Sequence, residues 1–152
     1  MAQIISTIEI GRPAEEVFFY VIDPSTMHEW QKGMSGGGHM DGTPVQVGSR
    51  CTTVRKIGGA QREVVTEITE YDPPRRWADH GIDGPIRAVV AVRVDPVDET
   101  RSRVRIELDF EGHGIGKLLV PLIVRPSARR EMPTNMQRLK HRLESGAAVA
   151  SR

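Results

Sequence analysis

Two arginines, two tryptophans, two methionines and a histidine are the side chains here whose type and spacing could hold or act on a small molecule. Leu118, Leu122, Arg125, Arg129, Met132, Met136, Leu139 and Leu143 follow one another in steps of three and four, which places all eight on one face of a helix. That face is apolar at both ends and cationic in the middle. Such a stripe needs acidic neighbours on a sheet, solvent, or an anionic ligand to accept its charge. The chemistry suggested for Arg125 and Arg129 is the anchoring of a carboxylate or phenolate head group, which a guanidinium fork matches well. No acid lies three or four residues from Arg125 on the helix, which keeps the anchor in play. The competing role is structural: a bend at Pro126 would turn both side chains into solvent or toward sheet carboxylates.

Trp30 and Trp77 are the only tryptophans among seven aromatic residues, so each is a large part of the aromatic surface available for contact. Core packing is their simpler role; the alternative puts Trp30 at a cavity mouth and Trp77 on a strand lining the pocket. Met132 and Met136 would make a deformable cavity wall if a pocket exists, and plain core if it does not. The histidines are His28, His39, His80, His113 and His141. Asp79 and His80 are strand neighbours and point to opposite faces, so they are not a catalytic dyad. His80 alone could reach a pocket, although a strand histidine on a wet surface is the plainer expectation. No histidine spacing suggests a metal site, no nucleophile motif appears, and nothing calls for a cofactor. Cys51 reads as a half-buried strand residue, and as the one cysteine it excludes an internal disulfide.

With 21 basic and 20 acidic residues the formal charge is +1, so no global field argues for nucleic acid or an acidic membrane. Arg101, Arg103 and Arg105 form a basic stripe, but Glu99, Glu107 and Asp109 interrupt it as on an ordinary solvated sheet face. The first residues lack the charged region and apolar core of a leader or membrane span. At 152 residues the length suits one domain, over 1–145, with 146–152 as a flexible tail. Together these features predict a cytoplasmic protein with no nucleic-acid partner and no stable membrane insertion. They leave the oligomeric state open, a homodimer included.

The positioning elements follow from periodicity. Ile4, Ser6, Ile8 and Ile10 alternate with Ile5, Thr7 and Glu9 as a strand with one apolar face. Pro13, with Glu15 and Glu16 behind it, opens a helix whose apolar face is Val17, Phe18, Val21 and Ile22. A short helical turn follows, over about Ser25 to Gln31, and then a glycine-rich stretch that predicts a mobile loop or a weak edge strand. Ser49 to Ile57 and Gln61 to Tyr71 read as a hairpin about Gly58-Gly59. Asp72-Pro73-Pro74, Asp83-Gly84-Pro85 and Asp95 to Thr100 punctuate three further strands. The last of these puts Val104, Ile106, Leu108 and Phe110 on one face. Short turns require antiparallel neighbours, and the continuous apolar face requires a cover. Only the stretch Lys117 to Glu144 is long enough to supply it, as a helix expected to bend near Pro126 or Pro133.

Three segments carry a family resemblance. Pro13-Ala14-Glu15-Glu16-Val17-Phe18, with Val21-Ile22-Asp23-Pro24 and Trp30, is similar to the opening of the START-like (SRPBCC) helix-grip superfamily. Thr66 through Arg75 is similar to its mid-domain strand and turn, and Leu139-Lys140 with Leu143-Glu144 to its closing helix. The resemblance is to the polyketide cyclase/dehydrase-like branch and spans about residues 3 to 145. It implies an α+β helix-grip fold: a curved antiparallel sheet of about six or seven strands around a long C-terminal helix, with two short helices after the first strand. It also implies a small hydrophobic ligand, lipid- or polyketide-like and compatible with an anionic head, held between sheet and helix. Trp30, Trp77, His80, Arg125, Arg129, Met132 and Met136 are the candidate ligand contacts. One fold hosts carriers, sensors and enzymes, so a cyclase or dehydrase and a protein-interaction domain remain alternatives.

Overall fold

The computed structural model describes residues 4–42, 44–57 and 59–146. Strand β1 (Ile4–Ile10) leads to helix α1 (Ala14–Val21), capped by Pro13, and then to a 3-10 turn (Met27–Glu29). Six strands follow: β2 (Met34–Met40), β3 (Arg50–Ile57), β4 (Ala60–Asp72), β5 (Arg76–Gly81), β6 (Ile86–Pro96) and β7 (Ser102–Gly112). All seven form one antiparallel sheet in the order β1-β7-β6-β5-β4-β3-β2. The chain thus meanders from β2 to β7, and β1 closes against the last strand, as antiparallel neighbours with short turns require. The glycine-rich segment forms β2, an edge strand whose pairing with β3 is interrupted between Ser35 and His39. Its glycines supply neither side-chain packing nor a fixed register. Between β3 and β4, Ile57 pairs with Ala60, so the turn has two residues. Gly59 takes φ +84°, a region open to glycine without strain; Gly58 lies outside the described residues, as do 147–152 of the expected tail.

The C-terminal helix runs from Gly116 to Glu144 in three contiguous pieces: α2 (Gly116–Leu119), a π-helical turn (Val120–Val124) and α3 (Arg125–Glu144). The expected irregularity lies one turn earlier than Pro126 and takes the form of a widened turn, in which the Arg125 N–H donates to Val120 O. Pro126 then sits in the first turn of α3, where its missing N–H is tolerated. Pro133 lies inside α3 on an exposed face, where water can serve the carbonyl it leaves without a donor.

This widened turn alters the helix's inward face. Met132, Met136, Leu139 and Leu143 are buried, as the three-and-four spacing predicts. Leu118 and Leu122 are not: they are 61% and 65% exposed, and Gly116 and Val120 take the inward positions. One extra residue in a turn rotates everything before it by most of 100° relative to a regular helix. The eight-residue stripe is therefore one face only from Arg125 onward.

Both ends of this helix are tied to the sheet. At the far end the Gly11 N–H donates to Glu144 Oε2 (2.7 Å) and Lys140 Nζ donates to Glu9 O (2.8 Å), which holds α3 along β1. At the near end Gly112 and Gly116 permit backbone-to-backbone approach: a Cβ on Gly116 would collide with the Pro85 carbonyl, and one on Gly112 with Gly116 O.

Candidate functional site

The registers assign every inward side chain. Ile4, Ser6, Ile8 and Ile10 of β1 pair with Leu108, Ile106, Val104 and Ser102 of β7. These pair in turn with Val90, Val92, Val94 and Pro96 of β6. Trp77 and Asp79 of β5 stand opposite Val92 and Val90, and Ile68 of β4 stands opposite Asp79. On β4 and β3 the same face carries Thr66, Val64, Cys51, Thr53 and Arg55.

Burial along this face falls off in one direction. At one end Ser102, Val104, Ile106, Val92, Val94 and Trp77 are all buried in a core that includes α1 residues Val17, Phe18, Tyr20 and Val21. At the other end Leu108, Phe110, Gly112, Val90, Ala88, Ile86, Val64 and Arg55 face inward yet are only half-buried. The helix shows the same division: Met132 to Leu143 are buried, whereas Val124, Arg125 and Ala128 are half-buried. The backbone of helix α3 comes closest to β1 and the 3-10 turn. The sheet and the helix therefore close tightly at one end and part at the other. Beside that end, between the close of β7 and the start of the helix, lies an open surface recess of about 430 Å³ whose lining includes Phe110, Glu111, Gly112, Lys117, Val120 and Arg125.

Asp79 stands where the filled end meets the open one. Its row across the sheet reads Ile68, Asp79, Val90, Leu108, Ile4; the two outermost members are buried, and Val90 and Leu108 are half-buried. Asp79 itself is 4% exposed. Thr66 Oγ1 donates to its Oδ2 at 2.7 Å, while Oδ1 is buried with no protein partner. Burial pushes its carboxyl up to about 6, against the opposing pull of the Thr66 bond and the charges of Arg55 and His80. Cys51, buried beside it, is raised to about 12 by desolvation first and the Asp79 charge second, so it is inert as a thiolate source. Desolvation also lowers Arg55, partly offset by Asp79; its Nη2 donates to Gln31 Oε1 at 3.0 Å.

The candidate contacts named from sequence fall into three places. Trp30, Trp77, Met132 and Met136 belong to the packed core, and the indole N–H groups of both tryptophans are buried without a protein partner. Arg125 lines the recess, where its Nε donates to Asp109 Oδ1 and its Nη2 to Phe110 O, both at 3.1 Å. Arg129, one turn after Arg125 on the same stripe, is exposed. His80 points to the outer face of the sheet, where its Nε2 lies 2.9 Å from Glu111 Oε1, and that bond holds the Glu111 carboxyl below its ordinary range. The alternation put Asp79 and His80 on opposite faces and gave a wet surface as the plainer place for His80, with a pocket contact as its alternative, but it did not single out Asp79 as the inward acid. The signal that decides it is Trp77: a buried indole two residues before Asp79 fixes the parity of β5, and Asp79 shares it. Thr66 and Arg55 carried no comparable signal, because their value comes from what stands opposite them.

A family model described as polyketide cyclase/dehydrase and lipid transport matches residues 1–144. Among curated proteins no sequence matches this chain. Solved structures that share the fold include the di-domain ARO/CYC BexL from the BE-7585A biosynthetic pathway, at TM-score 0.72 and 18% identity, over 97% of this chain and 48% of that one. This chain thus spans about half the length of BexL. TTHA0849 from Thermus thermophilus matches at TM-score 0.70 and 19% identity over 99% of both chains. NE0264 from Nitrosomonas europaea matches at 0.71 and 14% over 96% of both. Identities this low speak to architecture alone. Among the described residues no helix is long and apolar enough to cross a membrane.

Proposed function

The chain belongs to the polyketide cyclase/dehydrase and lipid transport family, and on that premise we propose that it holds a small, largely apolar organic molecule between its sheet and its C-terminal helix. The observation that carries this is the fall in burial along the inner face. Valines, a leucine and a phenylalanine that point into the molecule are left half-buried, as are Val124 and Ala128 of the covering helix. Apolar surface of that kind is stabilised when an apolar guest covers it. Lys117 and Arg125 at the rim suit a guest with an anionic head, Arg125 already sharing its charge with Asp109. Native mass spectrometry of the freshly purified full chain tests the reading. A small-molecule adduct is expected, and Ala128→Trp, which places an indole in the open end, should abolish it. Absence of any adduct, together with no saturable binding of an apolar fluorescent probe, overturns the proposal.

One observation favours a second reading, an enzyme of the cyclase or dehydrase type. Asp79 is an ionisable group on the inner face with a hydrogen-bonded partner, Thr66, and burial brings its carboxyl to about 6, in the range useful for proton transfer near neutrality. A poly-β-keto thioester incubated with the protein separates the two. A carrier returns it unchanged, and an enzyme returns a cyclised product with loss of water.

A further inference from the structure

Exposed large hydrophobic side chains are few among the described residues, and they are unevenly spread. Ile5, Phe19, Val47 and Val97 stand singly, whereas Ile115, Leu118, Leu122 and Ile123 lie together at the start of the C-terminal helix and are 65%, 61%, 65% and 57% exposed. Single aliphatic residues are ordinary on a protein surface; a contiguous group marks a contact. Residues three or four apart on a helix are neighbours, so these four form one face, with Pro121 and Pro126 exposed beside them. The fold holds that face outward. Only a glycine fits against the Pro85 carbonyl, so Gly116 keeps the inward position there and Leu118 stays outside; past the widened turn, Val120 is buried and Leu122 is not.

The charges around this face have one sign. Between Glu111 and Glu131 the chain carries no acid, and it carries Lys117, Arg125, Arg129 and Arg130. Arg125 is committed to Asp109. Lys117, Arg129 and Arg130 are exposed and form no ion pair with a described residue. The bordering acids are engaged elsewhere: Glu111 lies against His80 and His113, and Glu131 acts on Arg55. The adjoining β5–β6 turn adds one acid, Asp83, against these three cations.

We propose that this face is a docking surface for an anionic lipid bilayer: Ile115, Leu118, Leu122 and Ile123 enter the boundary between headgroups and acyl chains, and Lys117, Arg129 and Arg130 meet the lipid phosphates. A helix with aliphatic residues on one side and cations at its margin lies on a membrane in this way without crossing it. A second copy of the chain fits the face less well, because a self-complementary contact sets the same unpaired cations on both sides. A protein partner also fits less well, since contacts between proteins are rich in aromatic residues and this face has none. The proposal does not depend on a guest inside the molecule.

Co-sedimentation of the full chain with vesicles tests it. Vesicles of phosphatidylcholine with about one-third phosphatidylglycerol should bind the protein at least about tenfold more tightly than phosphatidylcholine alone, and added salt should weaken that binding by screening the charges. The double variant Leu118→Ser/Leu122→Ser should lose about tenfold or more in affinity for the mixed vesicles, and Arg130→Gln about fivefold. All three positions are exposed, so urea midpoints close to that of the unaltered protein will show that the variants keep the fold. Failure of the unaltered protein to bind the mixed vesicles, equal binding to both kinds of vesicle, or undiminished binding by the double variant would overturn the proposal. So would a dimer in analytical ultracentrifugation that the double variant abolishes, which would give the face to a second copy of the chain.

Discussion

Asp79 spends its time near the point where a carboxyl changes charge, and the cause is where it lies. Desolvation raises it from 3.8 to about 6, and the Thr66 hydroxyl, Arg55 and His80 do not fully compensate. The folded chain therefore binds this proton more tightly than the unfolded chain does. The stability contributed by the protonated group is fully present below about pH 4 and is lost as pH rises through about 6. Two pH units correspond to on the order of 3 kcal/mol. Asp79→Asn removes the titration and keeps the shape. In urea denaturation the variant's stability relative to the unaltered protein should rise by roughly 2–3 kcal/mol between about pH 4 and pH 8. A difference independent of pH would mean that Asp79 is hydrated in the native state.

Within the C-terminal helix, two leucines of equal hydrophobicity have opposite value because of the π turn. Leu139 is fully buried beneath α3, so Leu139→Ala should cost about 2–5 kcal/mol. Leu122, on the outer side of the π turn, is 65% exposed, and Leu122→Ser should change stability by under about 0.5 kcal/mol. Chemical denaturation of the two variants checks the pair, and similar losses would place Leu122 inside. Small residues matter more at this end. Gly116→Ala should destabilise severely, because its added carbon collides with the backbone of Pro85, which has no flexible side chain to yield. The near end of the helix is thus positioned by what its glycines omit and by the Arg125 bonds to Asp109 and Phe110 O.

Taken whole, the molecule is packed at one end and parted at the other, and its motions should follow. Amides of Val92, Val94, Val104 and Ile106 lie in strands buried by α1 and the far half of α3, while Ala88, Val90, Leu108 and Phe110 continue the same strands under the open end. Hydrogen exchange should be slower by at least about tenfold at the first set than at the second. A bound apolar guest should narrow the gap by slowing the second set; uniform protection without ligand would mean that the interior is filled along its length. The sequence by itself determined six of the strands and left the glycine-rich β2 as a loop or a weak edge strand, because period-two alternation punctuated by turns is a local property that β2 lacks. It likewise determined a long covering helix and the packing of Met132 through Leu143, because three-and-four spacing is local too. Tertiary structure alone decided the rest. Whether Leu118 and Leu122 face in or out depends on one extra residue in a turn. The membership of Asp79 in the interior was implicit in the parity it shares with Trp77, but its partnership with Thr66 and proximity to Arg55 depend on the β3–β4–β5 registers, which no local pattern encodes. That burial is complete beside Met132 to Leu143 and partial beside Val124 to Ala128 depends on where the helix is fastened to the sheet, and that is a property of how rigid elements meet.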